Sequence, residues 1–397
     1  MRKVEVATSV VELARNGRFA EIEKLFAPQL RAVVSAETLR SAWVTEMAKN
    51  GPVTAVGAPA GEPMEPGLER LSVPVTCERG GLTVIMSVDD AGLLRGLRLA
   101  PPSLTSWTPP PYANAKKFSE REVTHGTLSL PRGWRRRRPG VVLMSGGGPF
   151  DRDGTTGPNK PLKDLAWGLA SRGVAVARFD KPPYGRTMTE EYVPRAVAAV
   201  RSLRREGMGP IVLAGHSMGG KVAPRVAEAE PAVAGMVLLA ADAQPMREAA
   251  VRVARHLAAL NPGPDADAVL EVLVRQAANA GHPGLSAATP AEDLPFGLPG
   301  EYWLDVRGYD PVAAAARLAL PMLILQGGRD YQVTAADDLP LWRAGLGHRP
   351  DVTIRIYDAD DHLFFSGSGP STPAEYGLPH HVDQAVVEDV ADWVKKI

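Results

Sequence analysis

The sequence predicts an α/β fold built on a mostly parallel, doubly wound sheet, preceded by a small α+β module. Three observations carry this expectation. Short, continuous apolar runs at residues 141–144, 174–179, 211–214, 236–239, 322–325 and 352–357 alternate with helical stretches, the pattern of strands covered on both faces. A proline-dense segment, Ala100-Pro-Pro-Ser-Leu-Thr-Ser-Trp-Thr-Pro-Pro-Pro-Tyr112, interrupts the chain upstream of them. Within the first hundred residues the apolar period changes from helical to alternating.

In chain order, residues 10–26 and 36–49 carry helical spacing, with Ser35 as N-cap of the second helix and Glu37 at the positive end of its dipole. Segments near 53–58, 71–77, 82–88 and 93–99 alternate and are parted by Gly or Asp turns, as in an antiparallel meander. Residues 1–100 are therefore read as the small α+β domain. Prolines at this density continue neither helix nor central strand, so residues 101–116 are read as a linker, and 117–397 as the larger domain.

There a strand is expected over 122–130, followed by a solvated turn at Arg135-Arg-Arg-Arg138. Helices are expected at 162–171, 190–205, 221–229 and 311–318. About eighty residues separate the strands at 236 and 322, with helical pieces at 245–260 and 266–280, so 241–320 is read as a lid insertion.

The chain has 397 residues, 45 basic and 45 acidic, and therefore no net formal charge. Nothing global favours nucleic acid or an anionic membrane as partner. One cysteine, Cys77, excludes an intrachain disulfide framework. The first residues lack the sustained apolar stretch of a signal peptide, and no run approaches the roughly 18 apolar residues of a spanning helix. These features predict a cytoplasmic protein.

The most specific motif is Gly215-His-Ser217-Met-Gly219, set between an apolar strand and a helix. This is the G-x-S-x-G elbow in its required context: glycines flank a turn too tight for side chains, and the Ser217 hydroxyl is left at its tip. A serine needs a base to take its proton and an acid to orient that base. Both should follow on loops after later strands. Leu325-Gln-Gly-Gly-Arg-Asp330 supplies the acid and Tyr357-Asp-Ala-Asp-Asp-His362 the base. Asp358, Asp360 and Asp361 compete with Asp330 but share the histidine's own loop. His216, beside the nucleophile, is expected to point away and pack on the sheet, and His380 and His381 to open the final helix.

The run Ser145-Gly-Gly-Gly148, directly after a strand, has two readings. As a phosphate loop it lacks the G-x-x-x-x-G-K-[ST] pattern. As an oxyanion loop it supplies the second of the two N–H donors that acyl transfer needs, the first coming from Met218. Gly147 is the nominated donor, with Gly146 and Gly148 beside it. No metal and no organic cofactor is required.

From 118 onward the chain resembles bacterial serine hydrolases of the α/β-hydrolase superfamily, the esterase branch near the dienelactone-hydrolase and acylaminoacyl-peptidase-like groups. The resemblance lies in Gly148-Pro-Phe-Asp-Arg-Asp153, Arg178-Phe-Asp-Lys181, Gly215-His-Ser-Met-Gly219, Tyr302-Trp-Leu-Asp305, Gly308-Tyr-Asp-Pro311, Leu325-Gln-Gly-Gly-Arg-Asp-Tyr-Gln-Val333 and Asp361-His-Leu-Phe364. It implies an α/β-hydrolase fold with a helical lid and Ser217, Asp330 and His362 as a triad. It also implies cleavage of a carboxylic ester on a small-molecule acyl substrate through an acyl-enzyme. Acyl transfer or cyclisation, and thioesterase, lactonase or peptidase action, use the same machinery and stay open, as does a non-catalytic binding role. The N-terminal module resembles cystatin-like or nuclear-transport-factor-like domains, and its role at the active-site mouth, in a homodimer or in stability is left open. Two departures stand out: Ser145-Gly-Gly-Gly-Pro149 where relatives have His-Gly-Ser-Gly-Pro, and Asp180-Lys-Pro-Pro183 where they have Asp-Lys-Arg.

Overall fold

A computed structural model describes residues 3–65, 67–100, 107–133, 138–148, 150–182 and 186–397. The chain forms two compact units, Met1–Ser106 and Trp107–Ile397.

In the first unit, helices α1 (Lys3–Arg15), α2 (Phe19–Lys24), α3 (Pro28–Arg31) and α4 (Ala36–Asn50) precede strands β1 (Val53–Val56), β2 (Ala60–Glu65), β3 (Leu68–Cys77), β4 (Gly81–Asp89) and β5 (Leu94–Ala100). The sheet is antiparallel, in the order β1-β3-β4-β5 with β2 on β3. Val6, Val10, Ile22 and Trp43 pack with Leu71, Val73, Val84 and Met86 in its core. The Ser35 hydroxyl accepts from Thr38 N and caps α4. Two expectations change. The single helix over 10–26 divides at Gly17, whose φ of +71° suits glycine and breaks the helix. Strand β2, unexpected, carries Gly61 and Pro63, residues that mask a strand confined to a sheet edge.

The second unit holds β6 (Phe118–Val123), β7 (Gly126–Pro131), β8 (Gly140–Met144), β9 (Ala175–Phe179), β10 (Ile211–His216), β11 (Val233–Leu239), β12 (Met322–Gly327) and β13 (Val352–Tyr357). Their order is β13-β12-β11-β10-β8-β9-β7-β6. The pairs from β13 to β9 are parallel, and β7 and β6 close one edge antiparallel. The strand expected over 122–130 is therefore a hairpin, turning at His125 with φ of 61°. Of the expected arginine turn, residues 135–137 lie outside the described residues.

Helices cover both faces. Val142, Met144 and Leu213 pack toward α6 (Met188–Arg205), α7 (Met218–Ala229) and α12 (Leu339–Leu346), whereas Val141, Leu143 and Val212 pack toward α5 (Pro161–Ser171) and α13 (Gln384–Val394). Successive strand residues thus feed two cores, which is why the strands read as unbroken apolar runs. The last strand differs: β13 lies at the edge and is only half-buried.

Between β11 and β12 rise α8 (Met246–Leu260), α9 (Pro264–Gly281), α10 (Gly300–Arg307) and α11 (Pro311–Ala316). The first two form a helical pair within this lid-like insertion. Of the expected linker, 101–106 lie outside the described residues, and from Trp107 the chain straps onto the larger unit. Trp107 Nε1 donates to Asp164 at 2.8 Å, its ring meets Trp167 edge-on, and Tyr112 OH donates to Val382 O at 2.8 Å. Among the described residues no helix is long and apolar enough to cross a membrane.

Candidate active site

Strands β8, β10, β12 and β13 deliver the candidate residues to one edge of the sheet, because parallel strands share their carboxyl ends. Strand β10 runs into Ser217, held at φ 53° and ψ −121°, and α7 begins at the next residue. A non-glycine residue with positive φ costs on the order of 1–3 kcal/mol and persists only where its surroundings over-determine it. Here Ser217 N donates to Leu239 O at 2.8 Å while Gly220 and Lys221 N–H return to Ser217 O. The flanking glycines are sterically compelled. A Cβ on Gly215 would lie 2.2 Å from Gly219 O, and one on Gly219 would lie 2.6 Å from both Met144 O and Ser145 O.

The glycine loop after β8 arrives against this turn. A Cβ on Gly146 would stand 3.2 Å from Ser217 Cβ, and one on Gly147 would stand 3.6 Å from Met218 Cβ. Gly148 has φ +104°, and Pro149 lies outside the described residues. Among the described residues, neither the Gly147 nor the Met218 N–H is engaged by a hydrogen bond.

Asp330 and His362 meet: His362 Nδ1 and Asp330 Oδ2 are 2.7 Å apart, both side chains buried. Asp330 Oδ1 accepts from Gln332 N and Val333 N, which fixes the carboxylate. Burial opposes the imidazolium, but the Asp330 charge and hydrogen bond outweigh it and hold His362 above its ordinary pKa. The competing acids serve their own turn. Asp360 Oδ1 accepts from Ser366 Oγ, and Asp361 Oδ1 from Leu363 N and Phe365 N. Among the described residues no hydrogen bond joins the Ser217 hydroxyl to His362.

His216 packs against His362. Its Nε2 lies 2.8 Å from His362 O and its ring centroid 4.6 Å from that of His362. Lost hydration and the neighbouring His362 depress its pKa to about 3. His381 pairs with Asp164 ahead of the final helix rather than opening it.

Sequence reasoning missed the charges beneath the loop. Lys181, after β9, is buried and donates to Gly146 O at 2.6 Å, to Glu191 Oε1 at 2.7 Å and to Tyr192 OH at 2.9 Å. Tyr192 OH donates to Gly146 O at 2.8 Å, and Tyr302 OH to Glu191 Oε2 at 2.9 Å. Nearby, Arg152 clamps Asp180, and Arg178 bridges Asp153 and Glu120. Residues 152–153 thus pair with Asp180 and Arg178, anchoring the segment that follows the glycines, while Lys181 holds the glycine loop itself. The Ser145 hydroxyl, by contrast, is buried without a partner among the described residues.

Over the serine lies a cavity of about 770 Å³ lined by Gly147, Gly148, Ser217 and Met218 at its floor and by Glu191, Asp242 and Tyr302 at its polar side. Its wall is apolar: Met246, Ala249, Ala250, Val253, Ala254 and Leu257 from α8, with Val269, Leu270 and Leu273 from α9. The α8 positions recur at three- and four-residue spacing, so one helix face is turned to the cavity. Among the described residues no cluster of three or more His, Cys, Asp or Glu is arranged to hold a metal ion.

The chain belongs to the alpha/beta hydrolase family, whose sequence model matches residues 141–376. It is similar to the esterase EstD of Thermotoga maritima, 34% identical over 331 residues that cover 80% of this chain and 78% of that protein. Among solved structures it is similar to the Pyrococcus furiosus esterase Pf2001, with a TM-score of 0.45 and 16% identity over 75% of this chain and 97% of that one. It is also similar to Est1E from Butyrivibrio proteoclasticus, with a TM-score of 0.42 and 16% identity over 70% and 96%.

Proposed function

We propose that the protein is a serine esterase that cleaves carboxylic esters with an apolar acyl part through a covalent acyl-enzyme. The observation that carries this reading is the buried Asp330–His362 bond at the same sheet edge as a serine held at positive φ on the floor of an apolar cavity. Family membership and the likeness to an esterase support it.

In this mechanism His362 Nε2 takes the hydroxyl proton as Ser217 Oγ bonds to the ester carbonyl carbon. The carbonyl π electrons move to oxygen, and the Gly147 and Met218 N–H groups receive that oxyanion. Collapse breaks the bond to the alcohol oxygen, which leaves with the proton from His362. Water, deprotonated by the same imidazole, then attacks the acyl carbon and restores Ser217. Asp330 keeps the proton on Nδ1 so that Nε2 presents its lone pair. We assign the protein to the bacterial esterase branch near the dienelactone hydrolases and read the helices and antiparallel sheet of the first unit as a cystatin-like domain.

Labelling with a fluorophosphonate tests the reading. The wild type should be labelled and Ser217→Ala should be neither labelled nor active. A Ser217→Ala protein that retains wild-type turnover overturns it.

A further inference from the structure

The geometry points to Lys181 as the positioning residue of the oxyanion loop, acting through the carbonyl of Gly146. The inference rests on the esterase reading, in which the Gly147 N–H is an oxyanion donor. That N–H and the Gly146 carbonyl belong to one planar peptide unit and point in opposite directions. Whatever grips the carbonyl therefore aims the N–H, and a cation on the carbonyl oxygen draws electron density across the amide and makes the N–H a stronger donor.

Two donors grip this one oxygen, Lys181 Nζ at 2.6 Å and Tyr192 OH at 2.8 Å. All three ammonium hydrogens have acceptors: Gly146 O, Glu191 Oε1 and Tyr192 OH. Glu191 is fixed in turn by Tyr302 OH, and both line the cavity above Ser217. The loop's own hydroxyl, on Ser145, contributes no hydrogen bond among the described residues. The Lys181 and Glu191 side chains are 1% and 4% exposed. A buried ion pair often stabilises a fold no better than apolar residues of the same volume.

The test compares Lys181→Met/Glu191→Gln, which removes both charges together, with Tyr192→Phe, which removes one donor to Gly146 O and keeps the ring. Each is measured for kcat and KM on a p-nitrophenyl ester, per titrated active site, and for affinity toward an alkyl boronic acid, whose adduct with serine mimics the tetrahedral intermediate. Deleting an oxyanion donor outright costs roughly 10²–10³ in kcat. Weakening one should cost the double variant about tenfold or more, and Tyr192→Phe a few-fold. KM should stay within about threefold, and boronate affinity should fall by the same factor as kcat.

A purely structural role would lower the melting temperature or the titre while leaving kcat per site and boronate affinity unchanged. That outcome, or a loss confined to KM, overturns the assignment. If the double variant does not fold, Lys181→Arg, which keeps the charge but replaces the single-point grip on Gly146 O by a planar fork, decides by the same criteria. A wild type that takes neither boronate nor acyl group at Ser217 refutes the esterase reading instead, which keeps the two failures apart.

Discussion

Replacing Asp330 by Asn removes a charge and reverses a hydrogen bond with almost no change of shape. Asp330 Oδ1 accepts from Gln332 N and Val333 N, and Oδ2 faces His362 Nδ1 at 2.7 Å and Gln326 Nε2 at 3.3 Å. The asparagine oxygen will stay with the two backbone donors, which puts its NH₂ group opposite His362 Nδ1. A donor there forces the imidazole proton onto Nε2, where the proposed mechanism needs a lone pair. Loss of tautomer control in a Ser-His-Asp triad lowers kcat by about 10⁴, or roughly 5 kcal/mol of transition-state stabilisation.

The pH profile adds a signed test. In the wild type, kcat/KM should rise through a midpoint above 6.5, because in the proposed mechanism His362 acts as base only when neutral and Asp330 holds it above its ordinary value. Without the carboxylate, burial dominates and the midpoint should fall. Steady-state assays on a p-nitrophenyl ester from pH 5 to 9 read both quantities. An Asp330→Asn enzyme that keeps more than about a tenth of wild-type kcat would show that another acid orients the histidine and refute the reasoning.

Three further outcomes follow from the same geometry. For straight-chain p-nitrophenyl esters, kcat/KM should climb about fourfold per added methylene while the chain stays against the α8 wall. Ala254→Trp should end the climb earlier, and a flat series would show that the acyl group lies elsewhere. Asp360 is buried with one carboxylate oxygen unpartnered among the described residues, and burial pushes its pKa up to about 6. Its folded pKa lies above the unfolded one, so its penalty is small at pH 4, grows as pH rises toward 6 and is complete above that. Asp360→Asn should therefore stabilise by about 3 kcal/mol at pH 7.5 and little at pH 4, with urea unfolding as the measurement and an equal gain at both pH values as the contrary result. Gly215→Ala should prevent the elbow from closing, whereas Gly263→Ala, with no atom within 4 Å of its added carbon, should leave the melting temperature nearly unchanged. Similar melting temperatures for the two variants would contradict the steric argument.

The parallel strands were legible because burial on both faces leaves an uninterrupted apolar run, as at Val141, Val142, Leu143 and Met144. The elbow was legible because its glycines are sterically obligatory at fixed spacing. Strand β2 was hidden by Gly61 and Pro63, and the break at Gly17 by an apolar rhythm that continues across it. The Lys181–Glu191 pair was illegible for a different reason. Its members lie ten residues apart, one after β9 and one on α6, and only tertiary packing brings the two charges together into a buried grip on Gly146. The apolar rhythm of α8 was visible, but a period reports that a face is apolar, not whether it meets a core or a cavity. Here Val269 on the partnering α9 lines the cavity and remains 67% exposed.

Rapid-quench mass spectrometry during turnover of a p-nitrophenyl ester tests the central claim most directly. The account predicts that the peptide containing Ser217 gains the mass of the acyl group before steady state and loses it as substrate is consumed. Full turnover by the wild type with Ser217 never acylated would contradict it.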